Sequence, residues 1–380
     1  MASKAQPTAA SVLGASRRIT VKVGSSLLAR PAQERRLWLA SLASDLAALR
    51  ADDRQIVIVS SGAVALGREA LGLRASSKLD HKQAAAAVGQ PLLMAAWAEA
   101  FAEYDLPTAQ LLLTIGDTEA RRPWLNARAT LAALLDRGVV PIVNENDSVA
   151  TEELRYGDND RLSARVAQMV TSDLLILLSD VDGLYGADPS QNPDARRIAI
   201  VHAIDAKLRL AAGVKSSSGL GSGGMATKLE AAAIAQASGC ATIICSGRGE
   251  HPIRALADNE AAGTLVIAQQ TARRAYKTWI AGSLSPSGTV IIDDGAATAL
   301  SGGRSLLPSG VIEVTGDFDG GSCVRVQDSS GKALGQGLIR YSSAEARTIA
   351  GKRASDIEGL LGYTRGDELI HRDDLAVRND

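Results

Sequence analysis

The sequence predicts an α/β protein: an open, mostly parallel sheet sandwiched by helices, followed by a small β-barrel-like domain. Three observations carry that prediction. Short apolar runs without polar alternation recur between residues 19 and 245. Ala/Leu-rich stretches of helical length separate them, and near residue 285 the texture turns to short β-like runs with frequent turns. Strands that lack alternation are buried on both faces, and helices between them imply parallel pairing.

The runs are ITVKV at 19–23, QIVIV at 55–59, VVPIV at 139–143, LLILL at 174–178 and ATIIC at 241–245. Helical period is clearest at 35–50, 126–136 and 229–236. Each strand is followed by small or polar residues: Gly24-Ser25-Ser26, Ser60-Ser61-Gly62, Asn144 to Asp147, Ser179-Asp180 and Ser246-Gly247. In an open α/β sheet the carboxyl ends of the strands line the ligand crevice. Solvated loops alone would make some of these residues polar.

A chain of 380 residues exceeds one ordinary core, so two domains are expected. With aromatics at 3%, the core must be built from Ala, Val, Ile and Leu. TVIID, GVIEVTGDF, CVRVQD and ALGQGLIRY, after the Ser283–Gly288 linker, read as the strands of the second domain. The apolar runs fall short of the roughly 20 residues that span a bilayer, so no membrane partner is expected. A net charge of −1 gives no general attraction to nucleic acid. Cys240, Cys245 and Cys323 lack metal-ligand spacing and read as small buried hydrophobes, which suits a reducing cytoplasm. Residues 1–16, rich in Ala and Ser, read as a disordered tail, with a transit peptide as the alternative.

Three constellations carry chemistry. The first is Val21-Lys22-Val23-Gly24-Ser25-Ser26. A lysine inside a buried strand is costly without a negative partner, so Lys22 reads as a phosphate-binding cation, or else as an edge-strand residue facing water. The second is Gly219 to Lys228, opening a helical stretch. Its glycines let backbone N–H groups converge on an anion at a helix N-terminus, and Lys228 adds a mobile charge. The spacing is neither a Walker A loop nor a dinucleotide fingerprint, and a flexible linker is the bland reading. The third is Asn144-Glu145-Asn146-Asp147 with Gly157-Asp158-Asn159-Asp160. These groups suit an ammonium, a pair of lysines or Mg²⁺, and Asp158 to Asp160 would also cap a helix beginning near Arg161. His81, His202, His251 and His371 are scattered and read as structural or exposed.

VKVGSSLL, SSGAVALG, NENDSVA, GDND, LLSDVDGLY and GLGSGGMATK, in that order over residues 19–228, resemble the glutamate 5-kinase family of the amino acid kinase superfamily. The C-terminal segment is similar to a PUA domain. The resemblance implies an amino acid kinase domain at 17–270, a PUA domain at 284–366 and a C-terminal tail at 367–380. It implies transfer of the γ-phosphoryl of ATP to the γ-carboxylate of L-glutamate, the first step of proline biosynthesis. Lys22 would touch ATP phosphates, Ser179 and Asp180 the nucleotide, and Ser222, Gly223, Gly224, Met225, Ala226, Thr227 and Lys228 would form the phosphate loop. Ser61, Asp147 and Asn159 would bind glutamate, and Asp160 would hold Lys22 and Lys228 in place. Ser179 stands where many members carry Thr, which also offers a hydroxyl. Mg²⁺ would accompany ATP without assigned side-chain ligands. A homo-oligomer (dimer or tetramer) and feedback inhibition by proline are further expectations of the resemblance. The rivals are a sister kinase for another carboxylate and an RNA-binding PUA protein. Ten Lys/Arg against fourteen Asp/Glu over 284–380 oppose RNA as a partner.

Overall fold

The computed structural model describes residues 6–73, 78–149, 158–187, 192, 194–206, 208–209 and 224–377. The chain divides into two compact units, Met1–Ala272 and Arg273–Asp380.

The first unit is built on an eight-stranded sheet. Its strands are β1 (Arg18–Val23), β2 (Gln55–Ser60), β3 (Thr108–Leu113), β4 (Val140–Glu145), β5 (Leu174–Ser179), β8 (Ile200–Val201), β9 (Ala241–Ser246) and β10 (Gly263–Val266). A separate antiparallel hairpin pairs β6 (Leu184–Tyr185) with β7 (Arg197–Ile198). The sheet order is β3-β4-β2-β1-β5-β9-β10-β8. All neighbours from β3 to β9 are parallel; β10 pairs antiparallel with β9 and parallel with β8, so those two strands run the other way. The five apolar runs read from the sequence become β4-β2-β1-β5-β9, five adjacent strands. Their polar carboxyl ends therefore share one edge of the sheet.

Helices cover both faces. In chain order they are α1 (Ala9–Ala15), α2 (Ser25–Leu28), α3 (Ala32–Ala51), α4 (Ala63–Leu71), α5 (Leu79–Ala102), α6 (Ile115–Glu119), α7 (Arg121–Asp136), α8 (Asp158–Met169), α9 (Met225–Ala237) and α10 (Pro252–Ala257). Side-chain parity assigns the faces. Ile19, Val21 and Val23 of β1 join Leu174, Ile176 and Leu178 of β5 in a core with Trp38, Leu42 and Leu46 of α3 and Trp97 and Phe101 of α5. Leu175 and Leu177 turn the other way, onto Ala164 and Ala167 of α8 and Ala231 and Ala235 of α9. By the same parity Thr20 and Lys22 project toward the α8 and α9 layer. The alanines there bring helix backbones close to the sheet, which is how the chain manages with few aromatics.

The expected N-terminal tail needs correction. Thr8 and Ser11 form a reciprocal capping box on α1, and Leu13 is buried in the main core. A helix turn with one well-buried leucine suffices to dock an Ala/Ser-rich segment. His251 is structural, as expected: Asp45 on α3, itself buried, accepts hydrogen bonds from His251 Nδ1 at 2.8 Å and from the amides of Ile253 and Arg254 at 3.0 and 3.1 Å. With Trp38 Nε1 donating to the Gly247 carbonyl at 2.7 Å, α3 fastens the segment that follows β9.

The second unit takes in most of α11 (Ala272–Ser283), then α12 (Asp294–Ser301), α13 (Ser343–Ile349) and α14 (Ile357–Leu361). Its sheet contains β11 (Gly288–Ile292), β12 (Val311–Gly316), β13 (Cys323–Asp328), β14 (Ala333–Leu338) and β15 (Leu375–Val377), ordered β12-β11-β13-β14-β15. The four β-like runs read from the sequence are β11 to β14. The expected tail at 367–380 is corrected by β15, which pairs antiparallel with β14, and by Leu369, Ile370 and Leu375 in the second core. Those apolar residues are too widely spaced to read as a strand by period.

The α4/α5 pair sets how the sheet edge is furnished. A Cβ on Gly67 would lie 1.7 Å from the Ala85 carbonyl oxygen, and one on Gly89 would lie 1.8 Å from that of Ala63. The helices thus cross backbone to backbone, which brings Gln90 and Trp97 of α5 toward the strand ends. Trp97 Nε1 donates to Ser60 Oγ at 3.0 Å. Gly67→Ala is expected to cost about 3 kcal/mol, lowering the thermal midpoint by roughly 5 °C or more. Gly14→Ala on α1, where a Cβ would meet nothing within 4 Å, should leave the midpoint unchanged in the same scan. Equal midpoints for both variants would contradict the backbone contact.

Candidate active site

Lys22 sits on β1, flanked by Val59 of β2 and Leu177 of β5, in the middle of the sheet. The edge-strand reading is thereby excluded. The residue is 6% exposed, so its charge needs a partner. Asp160, fully buried in the first turn of α8, supplies it: Lys22 Nζ lies 2.6 Å from Asp160 Oδ1. Lys228, in the first turn of α9, approaches the other carboxylate oxygen, with Nζ 3.3 Å from Oδ2. Thr227 Oγ1 donates to Oδ2 at 2.9 Å. Two lysines separated by more than 200 positions in sequence thus meet on one carboxylate. Although Asp160 lies in a first turn, its carboxylate is turned to the lysines.

The electrostatics follow from burial. Removal from water pushes the Asp160 carboxyl up, but Lys22 and Lys228, aided by hydrogen bonds from Lys22 and Thr227, outweigh it and hold the group at about 2. Burial lowers the Lys228 pKa; Asp160 opposes that fall and the charge of Lys22 adds to it. Within this buried triad two ammonium groups face one carboxylate, and Asp180 acts on Lys228 from outside it. Buried, mutually interacting charges at strand ends mark this as the candidate site.

Around this clamp stand the other residues singled out from the sequence. Gly24 follows β1, its amide donating to the Leu178 carbonyl at 3.3 Å. Gly62 caps α4 at φ 111°, where a Cβ would meet Leu28, so the turn that presents Ser61 requires glycine. Ser179, 3% exposed, donates from Oγ to Asp180 Oδ1 at 3.0 Å, and the Gly247 amide donates to the Ser179 carbonyl at 2.8 Å. Gly224 caps α9, and Met225, Ala226, Thr227 and Lys228 form its first turn. Ser222 and Gly223, and Gly157 before α8, lie outside the described residues. Asp147 is half-buried in the turn after β4.

Asn159 adjoins the clamp. Its Nδ2 donates to Ser61 Oγ at 2.8 Å and to Asn144 Oδ1 at 3.1 Å. Its Oδ1 is buried with no hydrogen-bond partner among the described residues. Such an atom is an acceptor that an ordered water or a ligand's donor can satisfy. Sequence reading missed Gln90, which extends this set from α5: Asn144 Nδ2 donates to Gln90 Oε1 at 2.8 Å. The available signal was a glutamine directly after Gly89, in an Ala-rich helix.

Among the described residues no cluster of three His, Cys, Asp or Glu side chains is arranged to hold a metal ion. Asp160 is committed to lysines, and Asp180 accepts from Ser179. This donor set fits a metal that arrives on a ligand's phosphates better than one held by protein alone.

The amino acid kinase family model matches residues 17–246, and the PUA domain model matches residues 288–361. "Glutamate 5-kinase" of Caulobacter vibrioides (strain NA1000 / CB15N) is 55% identical over 367 residues, covering 96% of this chain and 97% of that protein. The protein of the same name from Paramagnetospirillum magneticum (strain ATCC 700264 / AMB-1) is 51% identical over 369 residues, covering 97% and 99%. Among solved structures, carbamate kinase from Giardia lamblia bound to AMP-PNP is 18% identical with a TM-score of 0.46, covering 67% of this chain and 100% of that one. The chain belongs to the amino acid kinase family, within the full-length group of the glutamate 5-kinases.

Proposed function

We propose that this chain transfers the γ-phosphoryl group of ATP to the γ-carboxylate of L-glutamate, giving L-glutamyl 5-phosphate and ADP. The observation that carries the reading is the convergence of Lys22 and Lys228 on Asp160. A carboxylate is already ionised at neutral pH and needs no general base, so the obstacle is the approach of an anion to a triphosphate. Catalysis is then positioning and charge compensation. One lysine about 4 Å from a phosphoryl oxygen gains on the order of 4 kcal/mol at an effective dielectric near 20. Only the part that grows toward the transition state speeds the reaction.

In this reading Lys22 and Lys228 face the transferring phosphoryl group, and Asp160 keeps both ammonium groups aimed while leaving one positive charge in surplus. Gly224 to Lys228, at the N-terminus of α9, complete a phosphate cradle with Ser222 and Gly223. Ser179 and Asp180 meet the nucleotide. Ser61, Asp147 and Asn159 hold glutamate, with the buried Asn159 Oδ1 accepting from its ammonium. Mg²⁺ carried in with ATP would supply further charge neutralisation, and Asp180, beside Ser179 at the end of β5, would be a carboxylate available to it. The setting we propose is the cytoplasm: no helix among the described residues is long and apolar enough to cross a membrane. Proline, which resembles a cyclised glutamate without its γ-carboxylate, is proposed to compete at the glutamate subsite. We further propose a homo-oligomeric assembly.

The reading is tested by ADP release with MgATP and L-glutamate, aspartate, N-acetylglutamate or carbamate as acceptor. Release is expected with glutamate and suppressed by saturating proline; release with another acceptor alone would overturn the assignment. Lys228→Ala should lower turnover about a hundredfold while the protein stays folded. Near-normal turnover in a folded variant would remove Lys228 from the chemistry.

The clamp also predicts a pH dependence. Asp160 lies at about 2, against an ordinary value of 3.8. A depressed carboxyl contributes stability above its unfolded pKa and loses it as pH falls through the folded value. The window is therefore from about pH 4 down to about pH 2, and the size about 2 kcal/mol. Denaturant titrations should show wild type more stable than Asp160→Asn by several kcal/mol at neutral pH, because the variant leaves two lysines buried without an anion. That gap should narrow as pH falls from 4 toward 2. A constant gap would show that Asp160 is not held ionised.

A further inference from the structure

Four side-chain amides form one directed chain from the candidate glutamate subsite to the far edge of the sheet. Asn159 Nδ2 on α8 donates to Asn144 Oδ1 on β4 at 3.1 Å, and Asn144 Nδ2 donates to Gln90 Oε1 on α5 at 2.8 Å. Gln90 Nε2 donates to Gln110 Oε1 on β3 at 2.9 Å. Asn144 is 1% and Gln90 8% exposed, whereas Gln110 lies at the surface on the end strand. The NH₂ groups of Asn159, Asn144 and Gln90 point outward along the chain, and the carbonyls of Asn144, Gln90 and Gln110 each accept from the inner neighbour.

The polarity has a consequence at the inner end. Both hydrogens of Asn159 Nδ2 are used, one on Asn144 and one on Ser61 Oγ. What Asn159 offers a ligand is its Oδ1 alone, an acceptor. Reversing any one amide sets donor against donor or acceptor against acceptor. A buried polar group left without its bond costs about 1–3 kcal/mol. Gln90 Oε1 is the point that fixes the direction, because Asn144 is shut off from the protein surface. Without that acceptor either orientation of the Asn144 amide leaves one buried polar atom unpaired, so its preference is lost; in the rotated orientation Nδ2 faces Asn159, and Asn159 must rotate in turn. An N–H group would replace the acceptor at the subsite.

We propose that Gln90 is a positioning residue that selects an acceptor bearing an α-ammonium group over the corresponding dicarboxylate without one. It acts through Asn144 and Asn159 and touches no substrate. This rests on the glutamate reading above.

The test compares wild type with Gln90→Leu, Gln90→Glu and Gln110→Leu. For each, KM for glutamate and for ATP, kcat, and the inhibition constant of glutarate are measured. Glutarate keeps both carboxylates and lacks the ammonium. In Gln90→Leu the glutamate KM should rise about tenfold, with kcat and the ATP KM within about twofold. The ratio of the glutarate inhibition constant to the glutamate KM should fall by about the same factor. Gln90→Glu keeps an acceptor for Asn144 and should restore that ratio to within about threefold of wild type. Gln110→Leu should change nothing beyond about twofold, since water can replace the outermost partner. Should Gln90→Leu not fold, Gln90→Met carries the same expectation. An unchanged ratio in the leucine or methionine variant, equal losses for ATP and glutamate, or a glutamate variant no better than leucine would each overturn the proposal. A wild-type protein inert toward glutamate would instead sink the substrate reading itself.

Discussion

Two ammonium groups do not share a dry pocket unless an anion stands between them. In this fold that anion is Asp160, and much of the first unit can be understood as the means of holding it there. Each lysine alone would be an expensive burial, and the carboxylate alone would protonate. Together they are stable enough to persist, yet they retain one uncompensated positive charge. A buried ion pair is often a poor stabiliser compared with apolar packing. We attribute its retention here to what the surplus charge would do for the polyphosphate in the proposed reaction, rather than to what it contributes to the fold.

The geometry that delivers the three groups is set by the sheet. β1 is central, with residues of alternate parity committed to opposite helical layers. Lys22 therefore emerges on the layer of α8 and α9, near the carboxyl end of its strand. Both helices begin at that same edge, so their first turns carry Asp160 and Lys228 to it. The small residues Ala164, Ala167, Ala231 and Ala235 allow the helices to lie close enough for a 2.6 Å contact. Bulkier packing would lift α8 off the sheet and separate the charges.

Legibility in the sequence followed physical range. Buried parallel strands are legible because burial on both faces is written into consecutive residues, and five of them were readable within one or two positions. Lys22 and Lys228 were legible because a charge in an apolar strand and a lysine after a glycine run are local anomalies. β3 was not read, since its TAQLLL pattern belongs to an end strand with only one covered edge. The folded segments at both termini were missed because a single buried leucine, or a three-residue strand, leaves no period to detect. Gln90 was missed because its role is tertiary: a glutamine after a glycine in an Ala-rich helix stands out, but nothing local says that it meets an asparagine 54 positions away.

The amide chain also answers a question of charge economy raised by the clamp. An ammonium group is bound most strongly by carboxylates, yet the residue adjoining Asp160 is Asn159. An aspartate there would add a further anion beside the two lysines and offset their positive charge, weakening the proposed hold on phosphate. An amide acceptor avoids this, because it recognises a donor while leaving the local charge unchanged. The drawback of an amide is that it can present either end. A carboxylate offers oxygen whichever way it turns, whereas an asparagine must be told which way to face. If Asn159 recognises the ammonium as proposed, a neutral recognition group next to an electrostatic clamp requires orienting partners, and the sequence of bonds through Asn144 to Gln90 would be the form that requirement takes.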